Sequence, residues 1–324
     1  MSTNLGRDKI WTTQPQVWSD IEKVLTDTIG QVRIAQKVFP TASTPNATNV
    51  PVNQVAPAPA GGGFFVPDAP PIPFLEISTE FYLNQNQMEN EATLRSAIDA
   101  VRAAARRLAQ AEDLLIFNGQ AAVLPAGVNV INGAYARNGL LGEAAFVRPV
   151  AATNPGPPRQ WGINIYNQVM QGIHTDLEGG GHPGPFALVL SSPVHADTTG
   201  LFAPGVTIRD RLLPELRGGI FSSGALGGGA PPAPPPAGVA APAAPAAPAA
   251  PAAPAAPAVA APAPIFSRGL LVSLAGDPIA LYLAQDAVVA FNQQDPQGNY
   301  RFRVFERIQF VVRETQALVR LEFN

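Results

Sequence analysis

Apolar side chains recur every three or four residues in two long stretches of the chain, which is the spacing of one buried face of an α-helix. The first stretch begins after Thr13, the expected N-cap, with Gln16 completing a capping box, and it ends at Pro40. The second covers residues 91–118 and stops at Gly119, a residue suited to a left-handed helix terminus. At about 1.5 Å per residue it spans about 40 Å, a length typical of a structural spine. The stripes are Trp18, Ile21, Leu25, Ile29 and Val32 in the first helix, and Leu94, Ile98, Val101, Ala105, Leu108 and Leu115 in the second.

The remaining patterned segments are shorter, and some show the spacing of strands whereas others show that of helices. Strict alternation or brief apolar runs mark strands, and spacing of three or four marks helices. Because no strand–helix–strand unit repeats, the sequence predicts an α+β fold. The predicted strands are 74–83, 186–190, 270–274, 279–283, 288–291, 300–312 and 317–323, and the predicted helices are 162–177, a short one opening at Ser192 and Pro193, and 208–216.

Two segments lack either pattern. Residues 41–73 are rich in Asn, Pro and Gly and are too long for an ordinary connection, so we expect them to be functional or mobile. Residues 230–264 repeat Ala-Ala-Pro, a composition that cannot bury a core and favours an extended polyproline helix. Since strand patterns resume on both sides, we interpret the tract as a solvated insertion in a surface loop. A docking site for a proline-recognition module is the alternative.

Composition narrows the functional classes. The net charge of −3 gives no electrostatic reason to expect nucleic acid or an acidic membrane as a partner. The absence of cysteine excludes disulfides, thiolate metal sites and a cysteine nucleophile. The sequence shows neither a bilayer-spanning apolar run nor a signal-peptide pattern, so a soluble cytoplasmic protein is the expectation.

Residue types that carry chemistry are present but poorly arranged. His174 and His182 flank Asp176 and Glu178, yet a glycine-rich loop separates them and no helical spacing aligns them as metal ligands. The glycines of 179–184 lie between a helix and a strand, the reverse order from a nucleotide-binding turn, and the Lys-Ser/Thr of a phosphate loop is missing.

An acidic pair, Glu112 and Asp113, lies near the end of the second long helix. Adjacent positions on a helix do not face each other, so these two carboxyl groups are not expected to share a proton. We therefore predict no catalytic residue, no cofactor site and no metal site.

Several short motifs resemble those of encapsulins, and they occur in the same order along the chain. One is Glu-Asp-x-x-Ile-Phe-Asn-Gly at 112–119, followed by Gly-Leu-Leu at 139–141. Each motif is short, and the shared order covers most of the chain. The other segments that carry the resemblance are 73–81, 184–190, 211–219, 285–286, 302–306 and 317–323.

The resemblance implies the tailed-phage major capsid-like fold, with a peripheral domain built on a long spine helix, an axial domain and an extended loop. It also implies a homo-oligomeric icosahedral shell, a nanocompartment that encloses a cargo such as a ferritin-like protein or a peroxidase. The Ala/Pro insertion has no counterpart in the family pattern. The implied regions are an N-terminal helix region (1–40), the extended loop and return strand (41–83), the spine helix and following loop (84–158), the axial domain (159–284) with its insertion (227–264), and the terminal strands of the peripheral domain (285–324).

Two functional surfaces follow from the resemblance. A groove for a cargo peptide is expected between the N-terminal helix and the peripheral domain; alternatively, the same apolar stripe is ordinary core. A loop before the helix at 211–219 is expected to line the five-fold opening, and its lack of charge predicts weak selectivity; alternatively, that loop is buried. The candidate groove residues are Trp18, Ile21, Leu25, Ile29, Val288, Val289 and Phe291, and the candidate pore residues are Thr199, Gly200, Leu201, Phe202, Ala203, Pro204 and Gly205.

Two other functions remain open from the sequence. A phage capsid protein would share the fold and package DNA, and an enzyme could be tethered by the Ala/Pro linker. The missing catalytic constellation argues against the enzyme, whereas the amphipathic N-terminal helix favours the encapsulin over the phage capsid.

Overall fold

A computed structural model of the chain describes residues 5–12, 14–52, 56–57, 64–65, 70–156, 158–227 and 267–324. Thr13 and the Ala/Pro tract lie outside these residues, so the predictions made for them stay predictions. None of the helices in the described part is long and apolar enough to cross a membrane.

The described residues contain nine α-helices, five 3-10 turns and one π-helix. The helix that was predicted for 162–177 is α-helical only to Gln171 and then continues as a wider π-helix, Gly172–Glu178. The helices are α1 (Pro15–Val32), α2 (Ala35–Val38), α3 (Gln85–Glu89), α4 (Glu91–Leu94), α5 (Ser96–Asn118), α6 (Gly139–Glu143), α7 (Ile163–Gln171), α8 (Ser192–Asp197) and α9 (Ile208–Leu212). The 3-10 turns are Arg7–Lys9, Gly119–Ala121, Gly133–Ala136, Gly224–Leu226 and Thr315–Ala317.

The first long helix is shorter than its pattern predicted. Its N-cap is Gln14, whose side chain forms no capping hydrogen bond. The helix ends at Val32, and α2 follows after a break at Arg33, so Pro40 ends the second of two helices. The stripe alone could not predict this break, because its cause is a side chain from elsewhere in the fold.

The second long helix, α5, is the spine, and it begins later than predicted. Arg95 has a φ of 52°, which separates α4 from α5. The carboxylate of Glu91 accepts hydrogen bonds from the N–H groups of Ala97 (2.8 Å) and Ile98 (3.3 Å) and so caps the new start. Leu94 is 46% exposed, and its predicted place in the buried stripe was wrong because this turn rotates α4 away from the core. The rest of the stripe is buried: Ile98, Val101, Ala105, Leu108 and Leu115.

Two glycines allow the end of the spine to pack against a later loop. Gly119 has a φ of +61°, and a Cβ added there would lie 2.3 Å from the backbone nitrogen of Gly139. A Cβ on Gly139, whose φ is +66°, would lie 2.3 Å from the backbone nitrogen of Gly119. Neither site accommodates a side chain, which explains why the motifs at 112–119 and 139–141 occur together.

Two five-stranded sheets form the rest of the frame. The first has the order β1-β14-β15-β6-β7 and is antiparallel except for the pair β1–β14. The second has the order β12-β9-β13-β16-β8, with parallel pairs at both edges. The strands are β1 (Thr41–Ser43), β2 (Asn49–Val50), β3 (Ala56–Pro57), β4 (Phe64–Phe65), β5 (Ile72–Pro73), β6 (Leu75–Leu83), β7 (Val128–Ile131), β8 (Phe146–Val150), β9 (Phe186–Ser191), β10 (Leu201–Ala203), β11 (Val206–Thr207), β12 (Gly219–Ser223), β13 (Ser267–Ser273), β14 (Ile279–Gln294), β15 (Tyr300–Val312) and β16 (Leu318–Phe323).

Each sheet carries its own helices, and one face of the second sheet adds Val189, Leu270 and Leu318 to the core of the first. The α+β prediction is confirmed. The spine helix packs on the first sheet, and α1 packs along the spine. The second sheet carries α7 and α9, which bury Ile165, Val169, Ile208 and Leu212 against its strands. We call these the peripheral half and the axial half.

The family resemblance implied domain boundaries that place three strands, wholly or in part, in the wrong half. Strands β8 and β16 pair with each other in the axial sheet, although their residues were placed in peripheral regions. Strand β14 belongs to the peripheral sheet from Ile279 onward. Alternation shows that a segment is a strand but not which sheet it joins, so the pattern could not assign these three strands to their sheets.

The segment without a pattern, 41–73, contains paired strands. Strands β2 and β5 pair antiparallel, as do β3 and β4, and β1 joins the peripheral sheet. Ladders of two residues are too short to leave a visible alternation in sequence. The predicted pieces 279–283 and 288–291 are in turn one long strand, whose register shifts between Leu283 and Val288 interrupt the pattern.

Candidate functional site

A buried cluster of charged side chains joins the elements of the peripheral half. Arg33, at the break between α1 and α2, places its Nε 2.5 Å from Oε2 of Glu112 on the spine and its Nη2 2.5 Å from Oε2 of Glu306 on β15. The contact with Glu112 is an ion pair that lacks hydrogen-bond geometry. Nε2 of Gln36 donates a 2.9 Å hydrogen bond to Oε1 of Glu112, and Asp286 approaches Arg33 at 3.5 Å from the solvent side. Both glutamates are fully buried.

The neighbouring carboxylate, Asp113, explains the break in the first helix. Its oxygens accept hydrogen bonds of 2.9 to 3.1 Å from the N–H groups of Ile34 and Ala35. These are the free N–H groups at the start of α2, so a spine carboxylate caps a helix from another part of the chain. Glu112 and Asp113 therefore serve different partners, although they are adjacent.

Burial dominates the electrostatics of the cluster. It raises the pKa of Glu112, a shift that the charge of Arg33 opposes. Burial and then the charge of Glu112 raise the pKa of Glu306 well above its ordinary value. The same two causes raise the pKa of Asp113 to about 7. Burial lowers the pKa of Arg33, but the charges of Glu112 and Glu306 outweigh it, so Arg33 stays protonated.

The sequence carries one signal for this cluster, which is the presence of charged residues at buried positions of the hydrophobic pattern. Glu306 occupies the buried phase of an alternating strand, between Val304 and Ile308, and Glu112 lies on the buried side of the spine. An ionisable residue at a core position rarely remains without a partner. The partner itself, Arg33, could not have been identified because it sits in a break that the pattern did not show.

The candidate groove residues on α1 are packed into the core. Their buried face meets the spine and an aromatic group in which the rings of Trp11 and Trp18 lie 5.6 and 6.4 Å from the ring of Phe302. Of the three candidates on β14, Val289 is also buried, whereas Val288 and Phe291 are half-buried. The fully packed residues are Trp18, Ile21, Leu25, Ile29 and Val289.

An open groove lies beside this core, between the segment before α1 and the strands β14 and β15. Its volume is about 420 Å³. The backbone N–H of Phe291 donates to the carbonyl of Leu5, which fixes the segment along the edge of the sheet. Gly6 has a φ of +74°, and a Cβ there would lie 2.5 Å from the Phe291 carbonyl oxygen, so the approach requires glycine. The groove is lined by Leu5, Gly6, Asp8, Lys9, Ala290, Phe291, Asn292, Arg303 and Phe305.

The candidate pore loop is a short hairpin at the surface of the axial half. Strands β10 and β11 pair antiparallel around Pro204 and Gly205, both exposed. Leu201 is 74% exposed, so the tip of the loop is not buried in the axial half. Phe202 anchors the base of the hairpin, with its ring 5.3 Å from that of Tyr166 and 5.0 Å from the Arg211 guanidinium. Thr199 and Gly200 precede the hairpin and are exposed, and Ala203 is half-buried.

The side chains of the histidine region have polar partners. His174 contacts Glu178 at 2.7 Å, and Asp176 forms a two-pronged hydrogen-bonded pair with Arg148. Nδ1 of His182 lies 3.3 Å from a carboxylate oxygen of Glu314. Within the part of the chain that the structure describes, no three His, Asp or Glu side chains are grouped so that they could hold a metal ion.

Comparison with known proteins identifies the architecture. Residues 2–141 match the family model described as "Encapsulating protein for peroxidase". A comparison with curated proteins finds no match. Among solved structures, a virus-like particle from Pyrococcus furiosus aligns with a TM-score of 0.63 at 13% identity, covering 94% of this chain and 99% of that chain.

Two further solved structures have the same fold. The capsid of Myoviridae phage XM1 aligns with a TM-score of 0.53 at 12% identity, over 89% of this chain and 90% of that chain. The SrpI encapsulin from Synechococcus elongatus aligns with a TM-score of 0.51 at 10% identity, over 88% and 85%. Likeness at such identities establishes the fold, and the family match adds a resemblance over residues 2–141. The chain therefore has the fold that tailed-phage capsid proteins and encapsulins share, and its residues 2–141 resemble the family of encapsulating proteins.

Proposed function

We propose that the chain is an encapsulin that forms a shell in the cytoplasm and encloses a cargo enzyme, a peroxidase or a ferritin-like protein. The cargo is held by a peptide in the groove beside α1. The observation that carries the proposal is the match to a family described as encapsulating a peroxidase, over the residues that include the N-terminal wall of the groove. A shell whose only task is enclosure needs no catalytic residue of its own.

The groove suits a short apolar peptide better than a small ligand. Phe291 and Phe305 supply its apolar surface, while Arg303 and Lys9 supply cationic edges. Arg303 is fixed by a 2.5 Å ion pair with Glu76 and lies 5.3 Å from the Phe305 ring, so this wall is ordered before any peptide arrives. Apolar anchors that enter an apolar groove, with charges at its rim, are a common mode of peptide recognition. The packed stripe on α1 then forms the support of the groove.

The test is a comparison of two aspartate variants, Phe305→Asp in the groove and Val123→Asp outside it. Val123 is 85% exposed, so its variant controls for an added surface charge. With a candidate cargo co-expressed, we expect Phe305→Asp shells to assemble but to retain less than about a tenth of the cargo, while Val123→Asp shells remain filled. Full loading of intact Phe305→Asp shells would exclude this groove.

The phage capsid fold makes DNA packaging the second candidate. The two functions differ in the content of purified particles. Protein cargo gives particles with a protein absorbance spectrum, whereas a packaged genome gives nuclease-protected DNA of uniform length.

A further inference from the structure

The buried cluster around Arg33 contains more carboxyl groups than cations. One guanidinium contacts two buried carboxyl groups, on Glu112 and Glu306, and a third buried carboxyl group, on Asp113, lies next to Glu112 on the spine. Asp286, the fourth acidic group, contacts Arg33 from β14 but is largely exposed. If all three buried groups were ionised, the cluster would hold uncompensated negative charge in a medium that solvates charge poorly, which is strongly unfavourable.

Contacts inside the cluster show how this charge is avoided. Glu112 and Glu306 approach the same guanidinium from two different elements, the spine and β15, so the two carboxyl groups interact directly. Two carboxyl groups that share one site hold a proton between them more tightly than either does alone. Oε1 of Glu306 has no hydrogen-bond partner in the described residues, so no donor stabilises a negative charge on this oxygen.

One side of the cluster is held less firmly than the others. The spine is anchored by its long buried stripe, and β15 is paired on both sides. The segment around Arg33 is instead a break between two helices, fixed by the ion pairs of Arg33 and by the two N–H bonds to Asp113. A pocket of about 260 Å³, lined by Val32, Ile34 and Asp113, lies next to this break and gives water a route to the Asp113 carboxylate.

We propose that Arg33, Glu112 and Glu306, with Asp113, form a proton-dependent latch that holds the end of α1 and the start of α2 on the spine and loosens when the proton is lost. The sign follows from linkage. Burial raises the pKa of Asp113 from 3.8 to about 7 and raises the pKa of Glu306 as well, so folding favours the protonated forms. Their contribution to stability is complete in acid and is lost as pH rises through about 7 and above.

The latch lies within one subunit, so its test depends neither on shell assembly nor on the cargo groove. Hydrogen–deuterium exchange of the full chain is measured at pH 6 and pH 9 and corrected for the intrinsic pH dependence of exchange. Protection of the amides in 29–39 should fall at least about tenfold relative to that in the spine, since one pKa unit corresponds to a tenfold change in equilibrium. Unchanged relative protection overturns the proposal.

Two variants separate the latch from general alkaline loosening. Glu306→Gln keeps the shape but carries no charge, so the pH dependence of protection at 29–39 should become clearly weaker, with only the part due to Asp113 and Glu112 remaining. Asp286→Asn removes only the exposed contact with Arg33 and should keep the wild-type dependence. Equal pH dependence in wild type and Glu306→Gln contradicts the latch.

A fluorescence measurement covers the case in which Glu306→Gln fails to fold. The chain has three tryptophans, and Trp11 and Trp18 lie in the N-terminal part. In a Trp161→Phe background, emission therefore reports on that part alone. A red shift between pH 6 and pH 9 is expected, and constant emission together with constant exchange at 29–39 would refute the latch.

Discussion

At the scale of single residues, this protein depends on a few polar groups in its core. Buried charges are usually weak contributors to stability, because desolvation offsets their attraction. Removing one partner is different, since it leaves the other charge buried and unpaired. Arg33 is the only cation in direct contact with Glu112 and Glu306 among the described residues, so the peripheral half depends on it.

Replacement of Arg33 by methionine tests this dependence. Loss of the cation should destabilise the subunit by about 3–5 kcal/mol at pH 7.5. The loss should be smaller at pH 5, where protons can neutralise the two glutamates. The measurement is the thermal midpoint of purified particles at both pH values. Arg102→Met, which breaks an exposed pair with Asp99, is the control and should shift the midpoint little. Equal shifts in the two variants would contradict the role of Arg33.

At the scale of elements, hydrophobic periodicity predicted the long strands and the buried face of the spine, but it did not predict the breaks between helices. The strand at 300–312 was predicted with the bounds observed, and the spine stripe from Ile98 to Leu115 is buried as expected. The breaks at Arg33 and Arg95 were missed, because each is set by a carboxylate that reaches backbone N–H groups: Asp113 from a distant segment and Glu91 from the turn before the spine. The cluster was missed for the same reason, since its members lie in three separate segments. The candidate groove residues on α1 lie in the core, which was the alternative stated for this stripe, because pattern alone cannot show which apolar face stays open.

The hairpin at 201–207 is the element whose function can be tested most simply. If five copies surround an opening, Leu201→Asp adds five negative charges to a narrow passage and should speed cation entry severalfold at low salt, with less effect at high salt. The measurement is the rate at which a terbium signal appears in shells loaded with a chelating cargo. Leu213→Asp places the same charge beside α9, outside the hairpin, and should leave the rate unchanged. An unchanged rate in Leu201→Asp shells would show that the hairpin does not line the opening.

At the scale of the whole molecule, sequence could predict the fold but not which sheet each strand joins. The order of the family motifs was sufficient to predict the capsid fold, and that prediction is confirmed. The assignment of strands to sheets was not predictable. The chain passes from one half to the other before β8, β14 and β16, and the connecting segments have no periodicity that would show this. The size of the assembly is set by angles between subunits, which a single chain does not encode in any local pattern.

The central claim is that this chain forms a closed shell, and the mass of the native particle tests it most directly. Purified protein should elute and scatter light as one megadalton species, and electron microscopy should show hollow particles of uniform diameter. A monomer or dimer of the 33.9 kDa chain, at the same concentration and near neutral pH, would contradict the account.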